Sequence, residues 1–539
     1  MGPGEMADAG YDYVIVGGGS AGCVLAARLT QDSAARVLML EAGGRDSHPL
    51  IHMPVGFAKM TTGPHTWGYT TTPQVHANNR TIPYAQARVL GGGSSINAEI
   101  FTRGHPTDYD RWATDEGCPG WGFADIRKYF LRSEGNTILS GDWHGTEGGL
   151  GVSDIPDPQP MTRAFVQSCQ ERGIPVTPDF NGATQAGCGI YQTTTRNYRR
   201  CSAAVGFLRP VMDRPNLTVE TGCQVRHIQL AGTRATGVTY SRGGRDVFRV
   251  HADREVIVTS GAIGTPRLMM LSGIGPAAHL RALGIEVIHD LPGVGANLTD
   301  HFGIDIVAEL TGHQSLDKYH KWHWAALAGL QYLAFRSGPI TSNVVEGGAF
   351  WFSGDGAEIP DLQFHFLAGA GAEAGVPGVP PGTSGITLNS YTLRPKARGT
   401  VRLRSADPDD PPLIDPNFLG HPDDLKTSVQ GVRISREIFQ QPSLQKHIRR
   451  IHLPDDSIQT QAAFEAYARQ HGRTSYHPVG TCKMGTDAMA VVDPQCRVRG
   501  LDGLRICDSA IMPSLIGSNT NAPTIMIAEK ASDMIRGNR

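Results

Sequence analysis

The sequence predicts an α/β chain in two parts: a dinucleotide-binding domain on a parallel sheet, and an α+β domain built on an antiparallel sheet. Three observations carry this. The stretch YDYVIVGGGSAGCVLAARL, from Tyr11 to Leu29, passes from a β-branched strand through a glycine turn into an apolar helix. A second strand, RVLMLEAG, ends in Glu41, nineteen residues beyond the last glycine of that turn. Between Ser337 and Ser405, three segments alternate apolar and polar residues as antiparallel strands do. At 539 residues the chain is too long for one core, so two domains are expected.

Gly17, Gly19 and Gly22 satisfy G-x-G-x-x-G. Glycine lets the backbone approach a pyrophosphate, whose charge then sits at the helix N-terminus that Ser20 and Ala21 begin. Glu41, followed by Ala42, is placed to accept hydrogen bonds from ribose hydroxyls. This fingerprint does not separate NAD from FAD. A second glycine- and serine-rich loop, ARVLGGGSSINAEIFTRG (Ala87–Gly104), offers successive N–H groups that can hold phosphate or cradle a polar heteroaromatic ring. The segment from Arg254 to Pro276 reads as a buried strand and a helix, and LPGVGANLTDH (Leu291–His301) turns on Gly293 and Gly295. The C-terminal segment reads as a strand, a loop and a last helix. That helix has Pro523 near its first turn and apolar positions at Ile525, Met526, Ala528, Ala531 and Ile535.

The rest bounds the function. A net charge of −2 without a basic block argues against nucleic acid as a partner. The nine cysteines form no C-x-x-C pair and suit reduced, buried thiols in a reducing compartment. The N-terminus lacks the pattern of a signal peptide. The apolar run WHWAALAGLQYLAF (Trp322–Phe335) falls short of the roughly 20 residues that span a bilayer, so it is expected as a packed helix, with peripheral membrane contact left open. The loop Gly369–Gly385 reads equally as a lid or as a plain surface excursion. His477, in RTSYHPVGTCKMG, lies five residues before Cys482, but two ligands without a further cluster do not close a zinc site, so no metal is expected.

The N-terminal fingerprint, ARVLGGGSSINA, GAIGTPRLMMLSGIG, HPVGTCKMG and GSNTNAPTIMIAEKA together resemble the glucose–methanol–choline (GMC) oxidoreductases over nearly the whole chain. The resemblance implies a Rossmann-like, glutathione-reductase-type FAD-binding domain. It would occupy residues 10–310, with substrate-side insertions around 50–80 and 150–210, and return at 481–539 after a substrate domain at 311–480. It implies FAD held by Gly17, Gly19, Ser20, Ala21, Gly22, Glu41, Ala42, Val89, Gly92, Ser94, Asn97, Ala98, Val225, Asp508, Asn521 and Thr524. Ile96 stands where some relatives carry a histidine that attaches the flavin, which implies non-covalent FAD.

The same resemblance makes His477 the base that takes the hydroxyl proton, with Asn521 beside it donating to the substrate oxygen, while hydride passes to flavin N5. Glu346, Asn343, Gln363, His365 and Tyr391 are candidates for binding substrate. It implies oxidation of a primary alcohol to an aldehyde, first L-sorbose to L-sorbosone, with electrons passed to a quinone or another acceptor. The alternatives are a polyethylene-glycol, aliphatic-alcohol or choline-type dehydrogenase, an oxidase making hydrogen peroxide, and a hydroxynitrile lyase. A cytoplasmic location is expected, with attachment to the inner membrane face left open, as is the oligomeric state.

Overall fold

The computed structural model describes residues 10–244, 246–312, 315–354, 356–371 and 376–537. The first nine residues, on which the absence of a signal peptide was read, and residues 372–375, within the loop read as lid or surface excursion, lie outside the described residues.

The first strand, Tyr11–Val16, sits inside a seven-stranded sheet. Parallel to it run Val37–Glu41 and then Leu217–Thr221 on one side, and the end of Asp246–Val258 and then Leu504–Ile506 on the other. Val14, Ile15, Val37, Met39, Val256 and Ile257 are wholly buried, as strands covered on both faces require. The strand Asp246–Val258 is thirteen residues long and serves two partners. Its buried end joins the parallel sheet, and its exposed beginning pairs antiparallel with Arg234–Arg242, which pairs in turn with Cys223–Ala231.

The second sheet is antiparallel, in the order Ile448–Leu453, Phe302–Leu310, Ser384–Thr392, Leu362–Leu367, Val345–Trp351, Gly187–Ile190. It therefore draws on strands at 187–190 and 302–310 as well as on the alternating segments. The alternation has a cause other than solvent. Ser384–Thr392 is buried at every position, and the polar residues His365 and Asn389, paired across two strands, line an internal cleft. Leu362, Phe364 and Phe366 take the other face, where Phe366 stacks on Phe165 of the helix Pro160–Glu171 at 4.7 Å.

All nine cysteines are free and buried. Among the described residues no helix is long and apolar enough to cross a membrane. The helix Trp322–Phe335 corrects one expectation: it is not packed into the core, since only Ala328 and Tyr332 on it are buried.

Candidate active site

A single cleft runs from the first glycine turn, past the second, to His477 beneath the antiparallel sheet. At its dinucleotide end the helix Ser20–Leu29 presents its N-terminus, with Gly19 as cap. Gly17 has φ +110°, and a Cβ there would lie 2.6 Å from the Thr259 carbonyl oxygen. At Gly22 a Cβ would lie 2.0 Å from the Gly17 oxygen. At Gly19 the nearest atoms are 3.9 Å away, so the space beside this glycine is left by the protein for something else. The two glycine loops touch: Gly91 N–H donates to the Gly18 oxygen at 2.7 Å, and a Cβ on Gly92 would lie 2.7 Å from the Gly19 Cα.

Glu41 accepts from Gly18 N–H at 2.8 Å and Gly43 N–H at 2.6 Å. Burial raises its pKa, and these two N–H groups oppose the rise. Asp508 holds the start of the helix Gly261–Leu271, accepting from Gly261 N–H at 2.8 Å and the Thr265 hydroxyl at 2.7 Å. Ser20, Ala21, Glu41, Ala42 and Val225 line this end of the cleft, and Gly92, Asn97, Ala98, Asp508, Asn521 and Thr524 line it further along. Gly22, Val89 and Ser94 stand behind it. Gly22 meets the turn, Val89 packs with Ile51, Met60 and Ile96, and the Ser94 hydroxyl donates to Gly91 O at 2.6 Å. The residues present fit a flavin dinucleotide: an open glycine cradle at a helix N-terminus, a buried acid, and one cleft continuous to a polar chamber.

His477 is held at that chamber by its backbone N–H, which donates to Asp300 Oδ1 at 2.8 Å. Asp300 also accepts from the Thr474 hydroxyl at 2.5 Å and the Tyr84 hydroxyl at 2.7 Å, while burial raises its pKa to about 6. The tautomer of His477 follows from its neighbours. His301 Nε2 lies 2.9 Å from the Leu393 carbonyl, which can only accept, so that nitrogen carries the hydrogen. Burial and the neighbouring His477 hold His301 neutral, with its pKa far below the usual range. Its Nδ1 is then an acceptor, and His477 Nδ1, 2.9 Å away, must donate to it. A neutral His477 is left with a lone pair on Nε2, facing the cleft.

Asn519 completes the site. Its side-chain nitrogen lies 3.2 Å from His477 Nε2, while its oxygen accepts from the Thr102 hydroxyl at 3.0 Å and from Gln363 Nε2 at 3.1 Å. The sequence reading put Asn521 here. Asn521 instead opens the helix Asn521–Arg536, and its oxygen accepts from the Ser20 hydroxyl at 2.8 Å. Asn519 lies in the loop just before that helix, and it is this asparagine whose side chain reaches the imidazole. Asn519→Ala is expected to slow turnover by about 10²-fold, the cost of losing one donor at a developing oxyanion. Asn521→Ala is expected to leave turnover nearly unchanged. Steady-state kinetics of both variants, with flavin content measured, check this.

Of the substrate-side candidates, His365 lines the cleft. Tyr391 lies behind it, its hydroxyl 3.1 Å from His365 Nε2 and its ring 4.9 Å from that of His301. Asn343 donates to the Ala98 carbonyl at 2.6 Å and supports the second loop. Gln363 orients Asn519. Glu346 neither faces substrate nor touches His477: it accepts from Gln159 N–H at 2.7 Å and from the Thr162 and Ser342 hydroxyls, each at 2.6 Å. Sequence reasoning missed Asn389, Arg473 and Ser475, which line the cleft, and His301 behind them. His301 closes the quoted motif LPGVGANLTDH, so its signal was present without a role attached.

Sequence alone places the ionisation of His477 in the histidine range. Burial pushes it down to about 3. Only the neutral imidazole can take up a proton, and a lowered pKa keeps that form present to lower pH. kcat/KM is therefore expected to stay flat from neutral pH down to about 5, without the step near 6.5 that an exposed histidine would give. A pH profile with a slow substrate checks it.

Residues 11–303 and 395–528 match the N- and C-terminal family profiles, both described as GMC oxidoreductase. Alcohol dehydrogenase (acceptor) of Pseudomonas putida is 43% identical over 97% of this chain and 95% of its own. Oxygen-dependent choline dehydrogenase of Sinorhizobium fredii is 44% identical over 98% of this chain and 95% of its own. Among solved structures, pyridoxine 4-oxidase from Mesorbium loti superposes with a TM-score of 0.89 at 29% identity, covering 98% of this chain and 100% of that one. Formate oxidase of Aspergillus oryzae RIB40 superposes with a TM-score of 0.93 at 25% identity, covering 99% of each chain.

Proposed function

The chain belongs to the GMC oxidoreductases, FAD-dependent enzymes acting on alcohol-type donors, and from that premise we propose that it is a dehydrogenase converting a neutral primary alcohol to an aldehyde. FAD supplies the hydride acceptor when bound. The work of this chain is to place the alcohol, take its proton and balance charge. The Nε2 lone pair of His477 accepts the hydroxyl proton, and the Asn519 amide donates to the oxygen as charge builds there. Thr102 and Gln363 keep that amide turned the right way. The helix Asn521–Arg536 opens at the cleft, where its N-terminal partial charge favours added negative charge. Ile96 lines the cleft without a nucleophilic side chain, which supports non-covalent FAD.

The observation that carries a neutral substrate is the fate of the acids. Glu346 is spent on three internal donors, Asp305 is paired with Arg473 at 2.7 Å, and Glu99, which lines the cleft, lies fully buried 3.4 Å from the Arg200 guanidinium, so each already has a partner other than a trimethylammonium group. This disfavours choline. His365, Asn389, Ser475 and Arg473 at one end of the cleft suit a polyol such as L-sorbose. Phe57, Ile100 and Val345 at the same end keep an aliphatic alcohol as the second reading.

Anaerobic addition of L-sorbose, a 1-alkanol, a short polyethylene glycol and choline, each followed at the flavin absorbance, tests this. Bleaching by choline alone overturns the neutral-alcohol reading, and bleaching by the alkanol but not the sugar moves the substrate to the aliphatic class. Reoxidation by a quinone but not by oxygen is expected. Fast reoxidation by oxygen would make the enzyme an oxidase.

A further inference from the structure

The helix Trp322–Phe335 departs from ordinary burial more than any other described element. Of the thirteen large hydrophobic residues exposed among the described residues, six sit on it: Trp322, Trp324, Leu327, Leu330, Leu333 and Phe335. Leu330 is 64% exposed, Leu333 67%, Phe335 77% and Trp322 81%. The helix meets the body through Ala328 and Tyr332, whose hydroxyl donates to the Tyr198 carbonyl at 3.1 Å. At about 100° per residue, the side turned away from Tyr332 centres on Leu330, with Ala326, Leu327, Leu333 and Ala334 around it and His323 at its N-terminal end. A surface helix normally shows solvent its polar side, and this one shows its apolar side.

The charges that flank it along the chain are of one sign. Lys318 and Lys321 precede the helix, Arg336 follows it, and no acid occurs from 318 to 336. The adjacent acid, Asp317, is turned inward, accepting from Gly385 N–H at 2.7 Å and Ala370 N–H at 3.1 Å. The tryptophans stand at the cationic end, where amphipathic rings and long basic side chains sit at a lipid headgroup layer. Fourteen residues make a helix of about 21 Å, short of the roughly 30 Å of a hydrocarbon core, so it can lie in a bilayer surface but not cross it.

We propose that Trp322–Phe335 docks in the surface of an anionic lipid bilayer, with its Leu330 side among the acyl chains and Lys318, Lys321 and Arg336 at the headgroups. The position has a consequence for the cleft. Leu316 and Tyr319, which lead into the helix, pack in one cluster with Phe57 and Val345 of the cleft's substrate end. Docking would therefore bring that end close to the membrane.

Flotation of the holoenzyme with vesicles of phosphatidylcholine mixed with phosphatidylglycerol, and of phosphatidylcholine alone, tests the proposal. The enzyme is expected to float with the anionic vesicles and to bind the neutral ones at least roughly tenfold more weakly, with the difference lost at high salt. Leu330→Glu with Leu333→Glu should weaken binding by at least about tenfold while leaving turnover of a soluble alcohol with a soluble dye unchanged. Quenching of the wild-type tryptophan emission by brominated lipid, lost in Trp322→Phe with Trp324→Phe, gives a second readout that needs no change to the Leu330 side. An enzyme that stays unbound with both vesicle types, or a double glutamate variant that floats as well as the wild type, overturns the proposal. So does a wild-type dimer in sedimentation that the glutamates break, because a second copy would then be what covers this face.

Discussion

Replacing His477 by alanine is expected to lower turnover by about 10²–10⁴-fold, the range over which a positioned general base contributes, while the protein still carries FAD. The geometry separates the two effects. The side chain of His477 faces the polar chamber, whereas its backbone N–H is the group that Asp300 holds. Alanine keeps that backbone bond, and the glycine loops, Glu41 and Asp508 are untouched. What the variant loses inside the protein is the donor to His301 Nδ1. A buried acceptor left without a donor costs about 1–3 kcal/mol, which a folded enzyme of this size tolerates. Rapid mixing with substrate under anaerobic conditions, read at the flavin absorbance, isolates the affected step. Wild-type rates of bleaching in a fully loaded His477→Ala would remove the base from this site and leave Asn519 and the positive helix end as its working parts.

The parallel sheet and its cleft were legible because each signal was local. A strand, three glycines and an acid in register need no knowledge of distant contacts, and Gly17, Gly19 and Glu41 stand where that pattern puts them. The antiparallel sheet was legible from alternation, but the reason behind the alternation was not: its polar face looks into a cleft rather than into water. The sequence names a pair for His477 but not which of two asparagines it is, since Asn519 and Asn521 differ only in where a helix begins. Glu346 was misplaced for the related reason that one strand position decides between the chamber and the N-terminus of the helix Pro160–Glu171. His301 needed the fold itself: 176 residues separate it from His477, and pairing of Phe302 with Thr474 across two strands brings the two imidazoles together.

Gly19→Ala is expected to give a folded protein that purifies nearly free of flavin. The three glycines of the turn differ in what a methyl group would strike. At Gly22 it would lie 2.0 Å from a backbone oxygen of the turn, and at Gly17 the chain also has a positive φ, so alanine at either position breaks the turn itself. At Gly19 the backbone is extended, with φ −78° and ψ −162°, a conformation alanine adopts freely. Nothing of the protein lies closer than 3.9 Å to the new carbon. The intrinsic cost is that of a poorer helix cap, about 1 kcal/mol. The cofactor-free variant should therefore melt within about 4 °C of cofactor-free wild type. The comparison must be made without flavin, because bound ligand alone raises the melting temperature. What the methyl group takes up is the space through which the backbone approaches a pyrophosphate, so flavin affinity should fall by well over tenfold, and the ratio of visible to ultraviolet absorbance reports it directly. Gly22→Ala, by contrast, should give no soluble protein. If Gly19→Ala bound flavin as tightly as wild type, the open space beside this residue would not be where the pyrophosphate sits, and the phosphates would have to be held by the second loop at Gly92.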